Sequence, residues 1–219
     1  MHNHFSQYLN LKSFILEKRP KVIVECGAGS GELTRKICSL WNIYDFDFHV
    51  ISDTPVPGLD PKIKWVQGLS YDALKIFPNE TIDLCIIDTD HNYWTLAKEL
   101  QAVVSKIKEG GLIALHDVET FYHDTGMALS YSSGETYPRE EIERMASLGG
   151  LGDALIAFLN SERLGWKLLA FNRESHGAAV IEKRTQTHYS LFLPGSGAVY
   201  ANPVENENSE KEVLSIANL

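Results

Sequence analysis

Short runs of consecutive apolar residues alternate along the chain with segments whose apolar positions recur every three or four residues, from Lys21 to about Glu182. Continuous apolar runs of about four to eight residues suit strands buried on both faces, and the longer period suits the helices that cover them. The pattern predicts an α/β fold: a doubly wound, mostly parallel, seven-stranded sheet with helices on both faces. A leading helix is predicted over Phe5–Lys18, with Lys18 and Arg19 at the negative end of its dipole and Pro20 as its stop. The strands are predicted over Lys21–Cys26, Phe46–Ser52, Ile63–Gln67, Ile82–Asp88 and Leu112–Leu115, with Trp166–Phe171 and Ala178–Glu182 as a closing pair. Helices are predicted over Glu32–Leu40 and Gly152–Leu159. The clearest helix places Tyr93, Leu96, Ala97, Leu100, Val103, Val104 and Ile107 on one face, and Gly110-Gly111 would end it as a left-handed cap. Thr54–Pro61, rich in proline, reads as a loop.

Two segments break the pattern. Residues 119–150 mix Tyr, Ser, Gly and charge and are too long for a plain connection, which points to an insertion that covers a site. From Gln186 the periodicity is lost, and the tail 186–219, polar and acidic over Asn202–Lys211, is expected to be partly disordered. The ordered unit is therefore a single domain over residues 1–185, within a chain of 219 residues.

Charge narrows the partners. A formal net charge of -9 with no Lys/Arg cluster argues against a nucleic-acid surface, which needs cations to displace counterions from phosphate. No stretch approaches the roughly 18 apolar residues of a membrane span. Cys26, Cys38 and Cys85 form no CxxC pair and sit in apolar or glycine-rich runs, as reduced thiols of a cytoplasmic protein would. A small-molecule substrate is the simplest partner, and self-association as a homo-oligomer stays open.

The first chemistry lies in Glu25-Cys-Gly-Ala-Gly-Ser-Gly31, between a predicted strand and a predicted helix. Alternating glycines there allow a tight turn and close approach of a ligand to the backbone. A dinucleotide fingerprint, G-x-G-x-x-G, would need glycine at position 32, where Glu32 stands instead, so a dehydrogenase is disfavoured. The motif Glu25-x-Gly27-x-Gly29-x-Gly31 resembles motif I of the class I S-adenosylmethionine-dependent methyltransferases, a Rossmann-like fold. The resemblance implies that Gly27, Gly29 and Gly31 lie against the methionine part of S-adenosylmethionine and that Glu25 sits near its amino group. It further implies that Asp53, after the second strand, holds the ribose hydroxyls, and that Gly68-Leu69-Ser70 forms the adenine-side loop.

The second chemistry lies at two strand ends: Asp88-Thr-Asp90-His91 after the fourth and His116-Asp117 after the fifth. In a doubly wound sheet both reach the carboxyl edge, where ligands bind. Helix capping by Asp90 or Asn92 accounts for one residue but not for both clusters. Clustered carboxylates repel unless a proton or a metal joins them, and a divalent metal is the natural partner. The combination resembles the metal-dependent O-methyltransferases, and Ile82–Val118 most resembles their macrolide-sugar branch, which lies close to hydroxylase-like relatives. By that resemblance Asp88, His116 and Asp117 are metal ligands, Asp88 also borders the cofactor, and His91 is the catalytic base. His116 departs from the usual acidic residue at its position; oxygen donors favour Mg²⁺, while an imidazole among them tilts the choice toward Mn²⁺ or iron. The resemblance spans roughly residues 20–184. Tyr122, His123, Asp124, Tyr131 and Tyr137 fall in the region that shapes the acceptor pocket in that family. The expected activity is O-methyl transfer to a small-molecule hydroxyl; a metal-dependent hydroxylase on the same fold and a non-catalytic binding module are the competing readings.

Overall fold

In the computed structural model, residues 11–119, 140, 149–162, 165–173 and 176–184 are described. Residues 120–139 and 141–148 of the expected insertion, with Tyr122, His123, Asp124, Tyr131 and Tyr137, and the tail from Gln186 lie outside them, as do residues 5–10 of the predicted leading helix.

Strand β1 (Val22–Cys26) is the pivot of the sheet. It pairs in parallel with β2 (Asp47–Ser52) on one side and with β4 (Ile82–Ile87) on the other. Strand β3 (Lys64–Gln67) extends the sheet beyond β2, and β5 (Ile107–His116) extends it beyond β4. Strands β6 (Trp166–Asn172) and β7 (Ala178–Lys183) form a hairpin whose second strand runs antiparallel to β5, giving the order β3-β2-β1-β4-β5-β7-β6. The strand order reverses at β1, with β2 and β3 laid to one side and β4 and β5 to the other, which makes a switch point at the carboxyl ends of β1 and β4, the place where such sheets bind ligands.

Alternation along the central strands builds two cores. Val24, Cys26, Cys85, Ile87, Ile113 and Leu115 face one side, and Ile23, Leu84, Ile86, Leu112 and Ala114 face the other. Helices α1 (Leu11–Lys18) and α2 (Glu32–Cys38) cover the second face through Leu11, Ile15, Leu33 and Ile37. The first face is covered by α3 (Ser70–Ala73), α4 (Tyr93–Val103) and α5 (Leu151–Ser161), through Ala73, Leu96, Leu100, Val103, Leu151 and Leu155. Helices therefore lie on both faces, as the periodicity predicts. Among the described residues no helix is long and apolar enough to cross a membrane. Cys26 and Cys85 are buried, Cys38 is half-buried, and all three are free thiols.

One boundary differs from the prediction. Helix α4 stops at Val103, and Ile107 opens β5 opposite Ile82 instead of closing the helix. The ladder resumes at Leu84–Leu112, so residues 108–111 bulge out against a single residue of β4. Gly110-Gly111 serves that bulge rather than a helix cap: a Cβ on Gly111 would lie 2.7 Å from the Ile107 side chain and 2.9 Å from the Lys108 carbonyl oxygen. β-branched Ile107 satisfies the helical period and the strand equally, and sheet pairing decides between them.

Candidate active site at the carboxyl edge of the sheet

The glycine turn follows β1 directly. The Gly27 N–H still donates to the Ile51 carbonyl of β2, and the Asp88 N–H donates to the Cys26 carbonyl, so the three central strands deliver their ends together. Gly27, at φ 86°, is required by the chain itself, because a Cβ there would sit 1.9 Å from the Asp88 carbonyl oxygen. Gly29, at φ 50°, differs: among the described residues nothing lies within 4 Å of the place its Cβ would take. The space a ligand could use is thus at Gly29, while Gly27 locks the turn to the end of β4. A Cβ on Gly31 would meet the Val56 side chain at 2.8 Å, so that position is set by the loop after β2.

Glu25 lies beneath the turn with 1% of its surface exposed. Burial lifts its carboxyl from an ordinary 4.5 to about 8, with the Thr34 hydroxyl opposing the rise and the charge of Asp88 adding to it. Its Oε2 is buried without a hydrogen-bond partner among the described residues. A buried carboxyl oxygen left unsatisfied is costly and suits a cationic donor that arrives with a ligand. Asp53 stands exposed just past β2, its carbonyl held by Gln67 Nε2 at 3.3 Å. Ser70 opens α3 and is buried; its hydroxyl donates to Glu99 of α4 and is thereby engaged inside the protein.

Asp88 ends β4, His116 ends β5 and Asp117 follows it, and the structure brings all three together. One ligand atom from each lies within 4.8 Å of the others, a spacing that a single cation can bridge. Asp117 Oδ2 is 3.0 Å from His116 Nδ1 and 2.8 Å from His91 Nε2, and His116 Nδ1 is 3.6 Å from Asp88 Oδ1. Burial works to lower the His116 pKa, but the carboxylates of Asp117 and Asp88 outweigh it and lift the ring to about 10. Burial works to raise the Asp117 carboxyl, but hydrogen bonds from His116 and His91 hold it well below the usual carboxylate range. Asp117 is buried and holds φ at 56°, an uncommon backbone for a residue with a side chain and a device that aims its carboxylate inward. Two carboxylates around an imidazole form a donor set that a divalent ion fits, once His116 gives up its proton.

His91 is held by the loop between β4 and α4. The next residue, Asn92, caps α4, its side chain accepting from the Thr95 N–H at 2.9 Å. Capping thus explains Asn92, while His91 turns to Asp117.

No curated protein matches the sequence. The family described as "Methyltransferase domain" matches residues 24–118, from within β1 past Asp117, and so takes in the glycine turn and the charged cluster together. Over that stretch, fewer than half of its residues, the chain is similar to this family. Solved structures share its fold. One is a Staphylococcus aureus protein assigned as a caffeoyl-CoA O-methyltransferase, 15% identical over 84% of each chain with a TM-score of 0.59. Another is the SAH-bound Podospora anserina methyltransferase PaMTH1, 15% identical over 79% of this chain and 76% of that one, with a TM-score of 0.54. A third is MycE of the mycinamycin biosynthetic pathway, in complex with Mg, SAH and mycinamycin VI; it is 14% identical, with a TM-score of 0.57, over 85% of this chain and 51% of MycE.

The candidate site also contains a residue that the sequence reading does not single out. Glu99, fully buried on α4, accepts from Ser70 Oγ and, at 2.7 Å, from Thr89 Oγ1. Burial raises its carboxyl to about 8, with the two hydroxyls opposing and the charges of Asp90 and Asp88 adding. A signal was present: Glu99 falls between Leu96, Leu100 and Val103 on the buried stripe of α4, where a charged residue has no place on packing grounds alone.

Proposed function

We propose that this chain is a methyltransferase that uses S-adenosylmethionine and a divalent metal ion, Mg²⁺ or Mn²⁺, to methylate a hydroxyl of a small-molecule acceptor of sugar, polyketide or phenolic type. The observation that carries the reading is the convergence of Asp88, His116 and Asp117 at the sheet edge, one loop away from the orphaned carboxyl of Glu25. When bound, S-adenosylmethionine supplies a methyl group already activated on a sulfonium, and the ion supplies a Lewis acid that lowers the pKa of the acceptor hydroxyl.

The chain's own residues do the rest. Glu25 receives the cofactor's amino group, the open face at Gly29 admits its methionine part, and exposed Asp53 takes the ribose hydroxyls. Asp88, Asp117 and His116 hold the ion. Asp117 accepts from Nε2–H of His91, which fixes the ring and makes its other nitrogen the basic one. That nitrogen would take the acceptor's hydroxyl proton while the methyl–sulfonium bond of a bound cofactor breaks and leaves S-adenosylhomocysteine, and Asp117 would stabilise the resulting imidazolium. Orientation of the two reactants accounts for the remainder of the rate.

Calorimetry with S-adenosylmethionine and S-adenosylhomocysteine, each with and without Mg²⁺ or Mn²⁺, tests the reading. Both cofactors should bind, and the ion should bind wild type but neither Asp88→Ala nor Asp117→Ala. Binding of neither cofactor would overturn the proposal. Full methyl transfer in the presence of a chelator would remove the metal from it.

A further inference from the structure

Glu99 is a buried acid for which the reaction proposed above has no use. It is fully enclosed on the face of α4 that packs against the sheet, among Leu96, Leu100 and Val103. Burying a carboxyl there is unfavourable unless its hydrogen bonds are worth more than the apolar packing they replace. Those bonds are specific. A single oxygen, Oε1, accepts from Ser70 Oγ and from Thr89 Oγ1, residues that belong to different loops of the sheet edge. Ser70 opens α3 immediately after the turn that follows β3, and Thr89 is the residue next to Asp88 in the loop that follows β4.

We propose that Glu99 is a positioning residue that ties the loop after β3 to the loop after β4, and so fixes the wall against which the nucleoside part of S-adenosylmethionine is bound. The inference rests on the cofactor reading above and sharpens it at Ser70. The hydroxyl of Ser70 faces Glu99, so its side chain acts on the cofactor through the bridge, and its backbone is what the loop presents outward. Among the described residues the second oxygen, Oε2, is buried without a hydrogen-bond partner, and both hydroxyls reach Oε1. The requirement is then for a two-fold acceptor at Oε1, not for charge.

The test separates the bridge from simple burial and needs no turnover. S-adenosylhomocysteine is titrated calorimetrically into the full-length protein, without added metal, for wild type, Glu99→Gln, Glu99→Leu, Ser70→Ala and Thr89→Val. Glu99→Gln keeps an oxygen able to accept both hydroxyls and should bind within about threefold of wild type. Glu99→Leu should weaken binding about tenfold or more, since both loops lose their tie. Ser70→Ala and Thr89→Val should each weaken it about threefold, and each should lose that effect in the Glu99→Leu background. The two hydroxyl variants keep the proposal exposed to refutation should Glu99→Leu not fold. Wild-type binding with unchanged affinity in Ser70→Ala and Thr89→Val would overturn the bridge alone. No binding by wild type would overturn the cofactor reading and the bridge with it.

Discussion

The glycine turn and the charged cluster sit on the same sheet edge, yet they are prepared for their tasks in opposite ways. At the turn, a carboxyl oxygen of Glu25 is buried without a partner and the space beside Gly29 is open. At the cluster, the carboxylate of Asp117 is already matched by two histidines, and His116 is lifted to about 10 by the acids around it. The turn is incomplete until a ligand arrives. At the cluster one imidazolium, His116, already offsets part of the charge of the acids, and a metal ion must displace its proton. Binding energy at the first place therefore comes from filling an unmet need, and at the second from replacing one cation by a stronger one.

The hardest test of this contrast is at Asp117. Asp117→Ala removes the carboxylate that both histidines address, and should lower kcat/KM on the order of 10³-fold, about 4 kcal/mol of transition-state stabilisation. S-adenosylhomocysteine affinity should stay within a few-fold, because the turn does not depend on the cluster. Asp117→Asn, which suits φ at 56° as well as aspartate does, should keep the melting temperature while losing most of the activity. Equal loss of cofactor binding in both variants would show that the two regions are one unit.

Gly27 comes next. A methyl group there would lie 1.9 Å from the Asp88 carbonyl oxygen, at a backbone angle that already disfavours a side chain. Gly27→Ala should destabilise the fold by about 3 kcal/mol or more, read by urea denaturation, because main chain must move and no flexible side chain can give way. Both regions should suffer together, since the displaced residue is itself a member of the cluster.

Much of this arrangement is legible in the sequence. The apolar runs place all seven strands, and the strand ends place Glu25, Asp88, His116 and Asp117 at one edge, because a parallel sheet brings successive carboxyl ends to the same side. What pattern cannot supply is anything decided by packing across elements. The Gly110-Gly111 bulge looks like a helix stop because the competing partner, Ile82, is distant in the chain. Gly27 and Gly29 are alike in the motif and differ only in what lies opposite them. The bond between His91 and Asp117 joins residues whose closeness depends on the crossover between β4 and β5.

Proton linkage separates the turn from the cluster by a smaller signal. The Glu25 carboxyl sits at about 8 in the fold against an ordinary 4.5, so between those values the native state holds a proton that the unfolded chain gives up. Its contribution to stability is full below about pH 4.5 and declines as pH rises toward 8. Glu25→Gln should flatten part of that decline in melting temperatures recorded from pH 5 to 8, with Glu99 supplying a parallel share. A cationic amino group beside Glu25 favours the carboxylate. S-adenosylmethionine binding at pH 7 should therefore release up to about one proton, seen as a dependence of binding heat on buffer ionisation, and Glu25→Gln should abolish it. Unchanged heat across buffers would place the amino group elsewhere.

The smallest effect on the fold, and the sharpest contrast with Gly27, belongs to Gly29. Its φ of 50° lies in a region that alanine enters at a cost of about 1 kcal/mol, and no atom of the described residues lies within 4 Å of the added methyl group. Gly29→Ala should therefore fold, with a melting temperature only a few degrees below wild type. If the open space is where the methionine part of the cofactor lies, the methyl group intrudes on it, and S-adenosylhomocysteine affinity should fall roughly tenfold, a larger loss than that in stability. Gly27→Ala has the opposite balance, a large folding defect with binding lost only in consequence. A Gly29→Ala protein that binds as wild type does would mean that the opening at the turn is bare surface, and Glu25 alone would then have to account for what the turn recognises.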